Sequence, residues 1–306
     1  MVGDVRLHRP CREEELRRAR GQSPVAQAFG KGVAMLSWLR DLFGKKDAEL
    51  PGDDPVRSRA PLAEGRVLDV PSGYNVRELG GYPTPYGQTL YHRFVRSGDT
   101  DGLSSTDIAA LRDYGVSMDV DLRSQWEVTH APDRLAKDRG VRSLHAQLHS
   151  YDMHAHDLKL PDDTEGYMAN GYLSMLENRK VVRQIFSFMA KAADDECVLF
   201  HCAAGMDRTG VTSMLVLGLC EASREDILRD YLYSFADADR VEELLDGKDC
   251  APDDRSVGVM GAGTLMHTMS AVYQALLDGC GSVRGYLLSC GLGEDELDRV
   301  RRHLVG

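Results

Sequence analysis

The chain has 306 residues, 42% hydrophobic and 28% charged, with a formal net charge of −11. That balance fits a soluble globular protein and excludes a dedicated nucleic-acid binder, whose surface must attract phosphate backbones. No apolar run reaches the roughly 18 residues of a membrane-spanning helix, and seven cysteines without a CxxC pair suit neither a disulfide framework nor a zinc site.

Residues 1–59 differ from the rest. Their start is charged throughout (Arg6, Arg9, Arg12, Glu13, Glu14, Glu15, Arg17, Arg18), so no signal-peptide core stands there. Val33, Leu36, Leu39, Leu42 and Phe43 follow at helical spacing, and a Pro/Asp/Gly/Arg-rich linker runs from Pro51 to Pro61. The expectation is a flexible extension carrying one amphipathic helix. Trp38 beside Lys45 and Lys46 gives that helix an alternative use, docking on a membrane surface or a partner. Met35 is an alternative translation start. Without a signal peptide or a disulfide pattern, a cytoplasmic, reducing location is expected.

From residue 60 the pattern becomes regular. Strands are expected at Val67–Val70, Leu90–Val95, Val116–Leu122, Val141–Leu144 and Cys197–His201. Val116, Met118, Val120 and Leu122 alternate with polar residues, whereas Cys197 to Phe200 is continuously apolar, as a central parallel strand should be. Helices are expected at Ser105–Tyr114, Val181–Ala193, Val211–Cys220, after the capping box Ser223–Asp226, and at Met266–Leu277, Val283–Ser289 and Glu294–Leu304. The fold class is α/β: one domain over 60–306, a mostly parallel central sheet flanked by helices, with a helical C-terminal part.

The chemistry is concentrated in His201-Cys-Ala-Ala-Gly-Met-Asp-Arg-Thr-Gly210, where a buried strand passes into a buried helix. Such a loop can curl so that the N–H groups of Ala203, Ala204, Gly205, Met206, Asp207 and Arg208 face one centre, with the positive end of the helix behind them. Arg208 adds a planar fork of donors matched to phosphate oxygens. Cys202 then lies on the floor of an anion cradle, where a thiol loses its proton readily and becomes a nucleophile. Thr209 can donate a hydrogen bond to the sulfur, and His201 orients the loop backbone. The expected reaction is attack on a phosphate monoester, a phosphocysteine intermediate and hydrolysis, without metal or cofactor. An inert buried cysteine, or a sulfur-transfer loop of the rhodanese type, would share the strand-to-helix position without requiring Arg-Thr-Gly. Cys197 and Cys220 are candidate partners for a reversible disulfide with Cys202.

This segment resembles the signature loop of cysteine-dependent protein-tyrosine phosphatases. Asn75-Val-Arg-Glu-Leu-Gly-Gly-Tyr82, Arg96-Ser-Gly98, Val120-Asp-Leu-Arg-Ser124 with Glu127, Asp230-Tyr-Leu232 and Gly281-Ser-Val-Arg-Gly-Tyr-Leu287 narrow the resemblance to the atypical bacterial tyrosine phosphatases, over about residues 65–304. The resemblance implies phosphotyrosyl proteins or peptides as substrates. Its alternatives are phosphoinositides or broad Ser/Thr/Tyr specificity, and a catalytically silent phosphate-binding module is the alternative of another class. The family often carries lysine where this chain has Met206, and that lysine is credited with binding extra phosphates on inositol lipids. Met206 therefore implies weaker lipid use.

Asp207 matches an aspartate that the family places in the loop, and is the favoured general acid. Asp121, at the end of the Val116 strand, is the alternative. Arg77 and Arg123 are read as bracing the loop before reaching substrate. Gly80-Gly81 reads as a tight turn, and Arg96 as structural. His145, His149, His154 and His156, with Asp152 and Asp157, read as a solvated loop rather than a metal site. A lid over the pocket from Phe235–Met269 and a static connection there are both open. Tyr167–Met175 reads as core or pocket wall.

Overall fold

The computed structural model describes residues 61–62, 65–148, 167–236, 241, 242, 245 and 261–306. The expected extension and its amphipathic helix, the stretch His149–Asp157 and most of the expected lid segment lie outside the described residues.

A seven-stranded mixed sheet in the order β1-β2-β3-β6-β9-β7-β8 forms the centre. Its four longer strands are β6 (Phe94–Ser97), β7 (Val116–Asp121), β8 (Arg142–His145) and β9 (Cys197–His201), and they pair with one another in parallel. β1 (Pro61–Leu62), β2 (Gly65–Val67) and β3 (Arg77–Glu78) extend one edge antiparallel. β4 (Pro83–Thr84) and β5 (Gly87–Gln88) make a separate small ribbon. β9 lies between β6 and β7 with every residue buried, which is why its sequence is apolar without alternation.

Register places the site. His201 pairs with Ser97 on β6 and with Asp121 on β7, so three strands end together at one rim. The loops after those ends meet there, the usual location of a ligand crevice in a parallel sheet.

Helices cover both faces: α1 (Ser105–Asp113), α2 (Gln125–His130), α3 (Tyr167–Glu177), α4 (Arg179–Met189), α5 (Asp207–Leu219), α6 (Arg224–Leu232), α7 (Ala262–Cys280), α8 (Val283–Ser289) and α9 (Glu294–Val305). Residues 209–219 of α5 are all buried, because α5 packs against strands β6 and β9 and helices α3, α6, α8 and α9. Burying this largely apolar helix supplies much of the core's hydrophobic stabilisation and fixes the helix N-terminus under the loop. Among the described residues no helix is long and apolar enough to cross a membrane.

Several boundaries differ from the sequence expectation. β6 begins at Phe94 rather than Leu90, because His92 takes φ +62° and breaks the extended run. β2 ends at Val67, where a strand was expected to begin, and Leu68 continues through one bond to the Val76 carbonyl at 3.0 Å. α5 begins at Asp207, four residues before the expected Val211; its first turn is polar because it faces the site. α2 and α3 are helices that hydrophobic periodicity did not mark. α2 carries its own signal, the capping box Ser124-x-x-Glu127.

Candidate active site

The loop from Cys202 to Met206 joins β9 to α5. Its carbonyls are held from outside, one after another. Cys202 O faces His201 Nδ1 at 3.4 Å, and Ala203 O accepts from Asp99 N at 3.0 Å. Asn75 Nδ2 donates to Ala204 O at 3.2 Å and to Gly205 O at 3.0 Å, and Arg96 Nη2 donates to Gly205 O at 2.7 Å. Met206 O accepts from Gly210 N at 2.7 Å. With the carbonyls turned out, peptide planarity turns the N–H groups in. Cys202 is 2% exposed.

Gly205 makes this turn. Its φ is +69°, and a Cβ there would lie 2.6 Å from Ser97 O and 2.7 Å from Gly98 N. Both the backbone angle and the close approach to β6 exclude a side chain.

Arg208, in the first turn of α5, is clamped by Glu127 of α2. Nη1 donates to Oε2 at 2.7 Å and Nη2 to Oε1 at 2.8 Å. The same carboxylate accepts from Ser124 N at 2.7 Å, so the α2 cap also aims the guanidinium. Burial alone would raise the Glu127 pKa, but the bonds and charge of Arg208 outweigh it and bring it down to about 2. Burial alone would lower that of Arg208, but Glu127 and then the charge at Cys202 raise it above its ordinary value.

Below the loop, two buried guanidiniums share one carboxylate. Arg96 Nη1 donates to Asp230 Oδ2, and Arg77 Nε lies 3.5 Å from Asp230 Oδ1. Arg77 Nη2 also reaches Asp230 O at 2.7 Å and Ser234 Oγ at 2.9 Å. Burial, then the facing charge of Arg96, pull Arg77 down to about 10. Arg77 also donates to Asn75 Oδ1, linking this group to the loop carbonyls. Two cations against one anion favour negative charge in the loop above.

A model of the tyrosine phosphatase family matches residues 68–306. The chain belongs to that family. It is similar to a tyrosine-protein phosphatase of Nostoc commune, 32% identical over 225 residues that span 69% of this chain and 74% of the relative. It is also similar to the triple specificity protein phosphatase PtpB of Mycobacterium tuberculosis, 26% identical over 279 residues that span 78% of this chain and 99% of that one.

The two carboxylates read as candidate acids in this phosphatase stand in different surroundings. Asp121 is 3% exposed and tied to Arg123: Oδ1 accepts from Arg123 N and Nε, each at 2.9 Å, and Oδ2 from Nη2 at 2.7 Å. Arg123 spends a further donor on Ala131 O at 2.9 Å. Asp207 is half-buried at the start of α5, and its Oδ1 accepts from the Tyr172 hydroxyl.

His201 is wholly buried and faces three carboxylates: Asp133 Oδ2 at 3.3 Å, Asp119 Oδ1 at 3.5 Å and Asp121 Oδ1 at 4.0 Å. Burial, then the charges of Asp133 and Asp121, push Asp119 well above the usual carboxylate range. Asp133 moves the other way: burial alone would raise it, but His201, Asp119 and Thr100 hold it low. Both Asp119 oxygens are buried without a hydrogen-bond partner among the described residues, so its surroundings favour the neutral carboxyl.

Other expectations meet different geometry. The Thr209 hydroxyl is buried and has no hydrogen-bond partner among the described residues, so the expected bond to Cys202 is not formed. Met206 is 3% exposed. Cys197 starts β9, on the order of 16 Å of extended strand from Cys202, and Cys220 follows the far end of α5, on the order of 20 Å of helix away. A disulfide needs Cα atoms within roughly 7 Å, so neither protects the nucleophile. His145 ends β8 and meets Arg123 O through Nε2 at 2.8 Å. Sequence reasoning assigned no role to Asn75, Glu127, Asp133 or Asp230, and none to the hydroxyl of Tyr172. Glu127 alone carried a local signal, its capping box.

Proposed function

We propose that the protein hydrolyses phosphate monoesters, foremost phosphotyrosine in proteins, through a phosphocysteine intermediate. One observation carries this reading: Cys202 opens a loop whose carbonyls from Cys202 to Gly205 are each met by a partner outside it, beside an arginine clamped in place by Glu127. The substrate phosphate occupies the cradle of Ala203–Arg208 N–H groups, with the Arg208 fork on its oxygens. The Cys202 thiolate attacks phosphorus in line. The bond from phosphorus to the ester oxygen breaks, its electron pair leaves with that oxygen, and the Asp207 carboxyl supplies the proton. Water then attacks phosphorus, gives its proton to the Asp207 carboxylate, and the S–P bond breaks to return the thiolate and inorganic phosphate. The amides and Arg208 meet the charge that develops on the equatorial oxygens in both steps, which is the largest expected contribution to rate.

Asp207 is favoured over Asp121 because each Asp121 oxygen already serves Arg123, whereas Asp207 Oδ2 carries no hydrogen bond among the described residues. His201, Arg77 and Arg123 act as braces. A reducing, cytoplasmic location agrees with the five described cysteines all being free.

A second reading, broad action on phosphoserine, phosphothreonine or inositol lipids, is favoured by the similarity to a relative named a triple specificity phosphatase. A panel of phosphotyrosyl, phosphoseryl and inositol-lipid esters separates the two. Turnover of p-nitrophenyl phosphate that is lost in Cys202→Ser, while the variant still binds phosphotyrosyl peptide, supports the enzyme. Full turnover by that variant overturns it, and binding by an inactive wild type would leave a phosphate-binding module.

A further inference from the structure

Tyr172 extends from α3 to the Asp207 carboxylate, and its oxygen lies 2.7 Å from the Tyr231 hydroxyl of α6. Each tyrosine is 1% exposed, and the rings meet edge to face with centroids 6.3 Å apart. Gly210 makes room for the pair, since a Cβ there would lie 2.9 Å from Cδ2 of Tyr231. The last glycine of the signature loop thus admits a tyrosine that supports the loop's aspartate.

Hydrogen-bond bookkeeping sets the direction of the chain. Oδ1 of Asp207 accepts, so the Tyr172 proton points at it. The Tyr172 oxygen is then the acceptor for Tyr231. The order is Tyr231 to Tyr172 to Asp207. Burial, and after it the charge of Asp207, push both phenols well above their ordinary range, so both remain donors throughout the working pH. Asp207 is half-buried, and its Oδ2 has no partner among the described residues.

We propose that Tyr172, backed by Tyr231, is a positioning residue for the general acid: it occupies Oδ1 and so keeps the transferable proton on Oδ2, the oxygen open to substrate. This rests on the reading of Asp207 as the acid. Two consequences separate it from a merely structural role. Losing the hydroxyl frees the carboxyl to rotate, which slows esters whose leaving oxygen needs the proton. It also removes a donor that favours the ionised carboxylate, so the acid stays protonated to higher pH.

The experiment is kcat/KM for a series of aryl phosphates of graded leaving-group pKa, across pH, for wild type, Asp207→Asn, Tyr172→Phe and Tyr231→Phe. Tyr172→Phe is expected to lose about tenfold on the poorest leaving groups and under about twofold on the best, a fraction of what full removal of an acid costs. Its basic limb should move to higher pH. Tyr231→Phe should move both quantities the same way by less, and carries the test if Tyr172→Phe does not fold. A wild-type slope and limb in these variants, beside a steep slope in Asp207→Asn, would overturn the positioning role alone. A flat slope in Asp207→Asn would remove the acid and this inference with it.

Discussion

Glu127 holds Arg208 with both carboxylate oxygens, across 81 residues of sequence. The pair joins the cap of α2 to the first turn of α5, so an apparently local helix signal presets the phosphate-binding fork. Glu127→Gln keeps an oxygen for the Ser124 N–H but loses the charge and one acceptor. It should lower kcat/KM by roughly 10- to 100-fold, as loss of an outer partner that orients a site residue does, with little change in helix content by circular dichroism.

The same pair makes a prediction about acid stability. The Glu127 pKa stands at about 2 against 4.5 for the free side chain. Its contribution is complete above 4.5 and is lost as pH falls through about 2. A shift of this size corresponds to on the order of 3 kcal/mol. Urea unfolding from pH 6 down to pH 2 should therefore show a shallower loss of stability in Glu127→Gln than in wild type. Parallel curves would contradict the assignment.

Gly205 tolerates no side chain. Gly205→Ala meets both a positive φ and a Cβ 2.6 Å from the Ser97 carbonyl. The variant should lose at least about 2 kcal/mol of stability, the sum of backbone strain and displacement of β6. It should also bind inorganic phosphate too weakly to measure, because the loop can no longer turn its carbonyls outward. Thermal unfolding and phosphate titration check both.

Asp119 carries the opposite pH sign from Glu127. Burial, then the charges of Asp133 and Asp121, push its carboxyl well above the ordinary Asp range, so the folded state favours a proton that the unfolded chain releases. Stability from this group falls as pH rises through that range. Asp119→Asn keeps a neutral side chain beside Asp133 and removes the titration. It should be more stable than wild type at pH 8 and equal to it near pH 4. Asp133→Asn takes away the carboxylate on His201 and should destabilise at both values.

How much of this was legible in the sequence follows from contact range. Cys202, Asp207 and Arg208 were readable because strand, loop and helix are contiguous there. The pieces that hold them were not, since Asn75 reaches Gly205 across 130 residues and Arg96 reaches Asp230 across 134. Arg77 was read as bracing the loop and Arg96 as structural, but the carboxylate of Asp230 that both share shows only in the tertiary contacts. β3, β4 and β5 have two residues each, too few for any periodicity to register. Tyr172 lay in a stretch read as core or pocket wall. Its ring is indeed buried, and only tertiary contact reveals the hydroxyl's partner.

Met206 caps α5 and is buried, so it presents no charge to a second phosphate. Met206→Lys should raise turnover of inositol-lipid phosphates several-fold relative to a phosphotyrosyl peptide. An unchanged ratio in assays with mixed-micelle lipid substrates would remove this position from the account of specificity.

The most direct measurement is rapid acid quench of the enzyme during turnover of a phosphotyrosyl peptide, followed by digestion and mass spectrometry. A phosphoryl group on the sulfur of Cys202, more abundant in Asp207→Asn if that residue also activates water, is the expected result. Steady turnover with Cys202 never modified, or the phosphoryl group found on another side chain, would contradict nucleophilic attack by this cysteine.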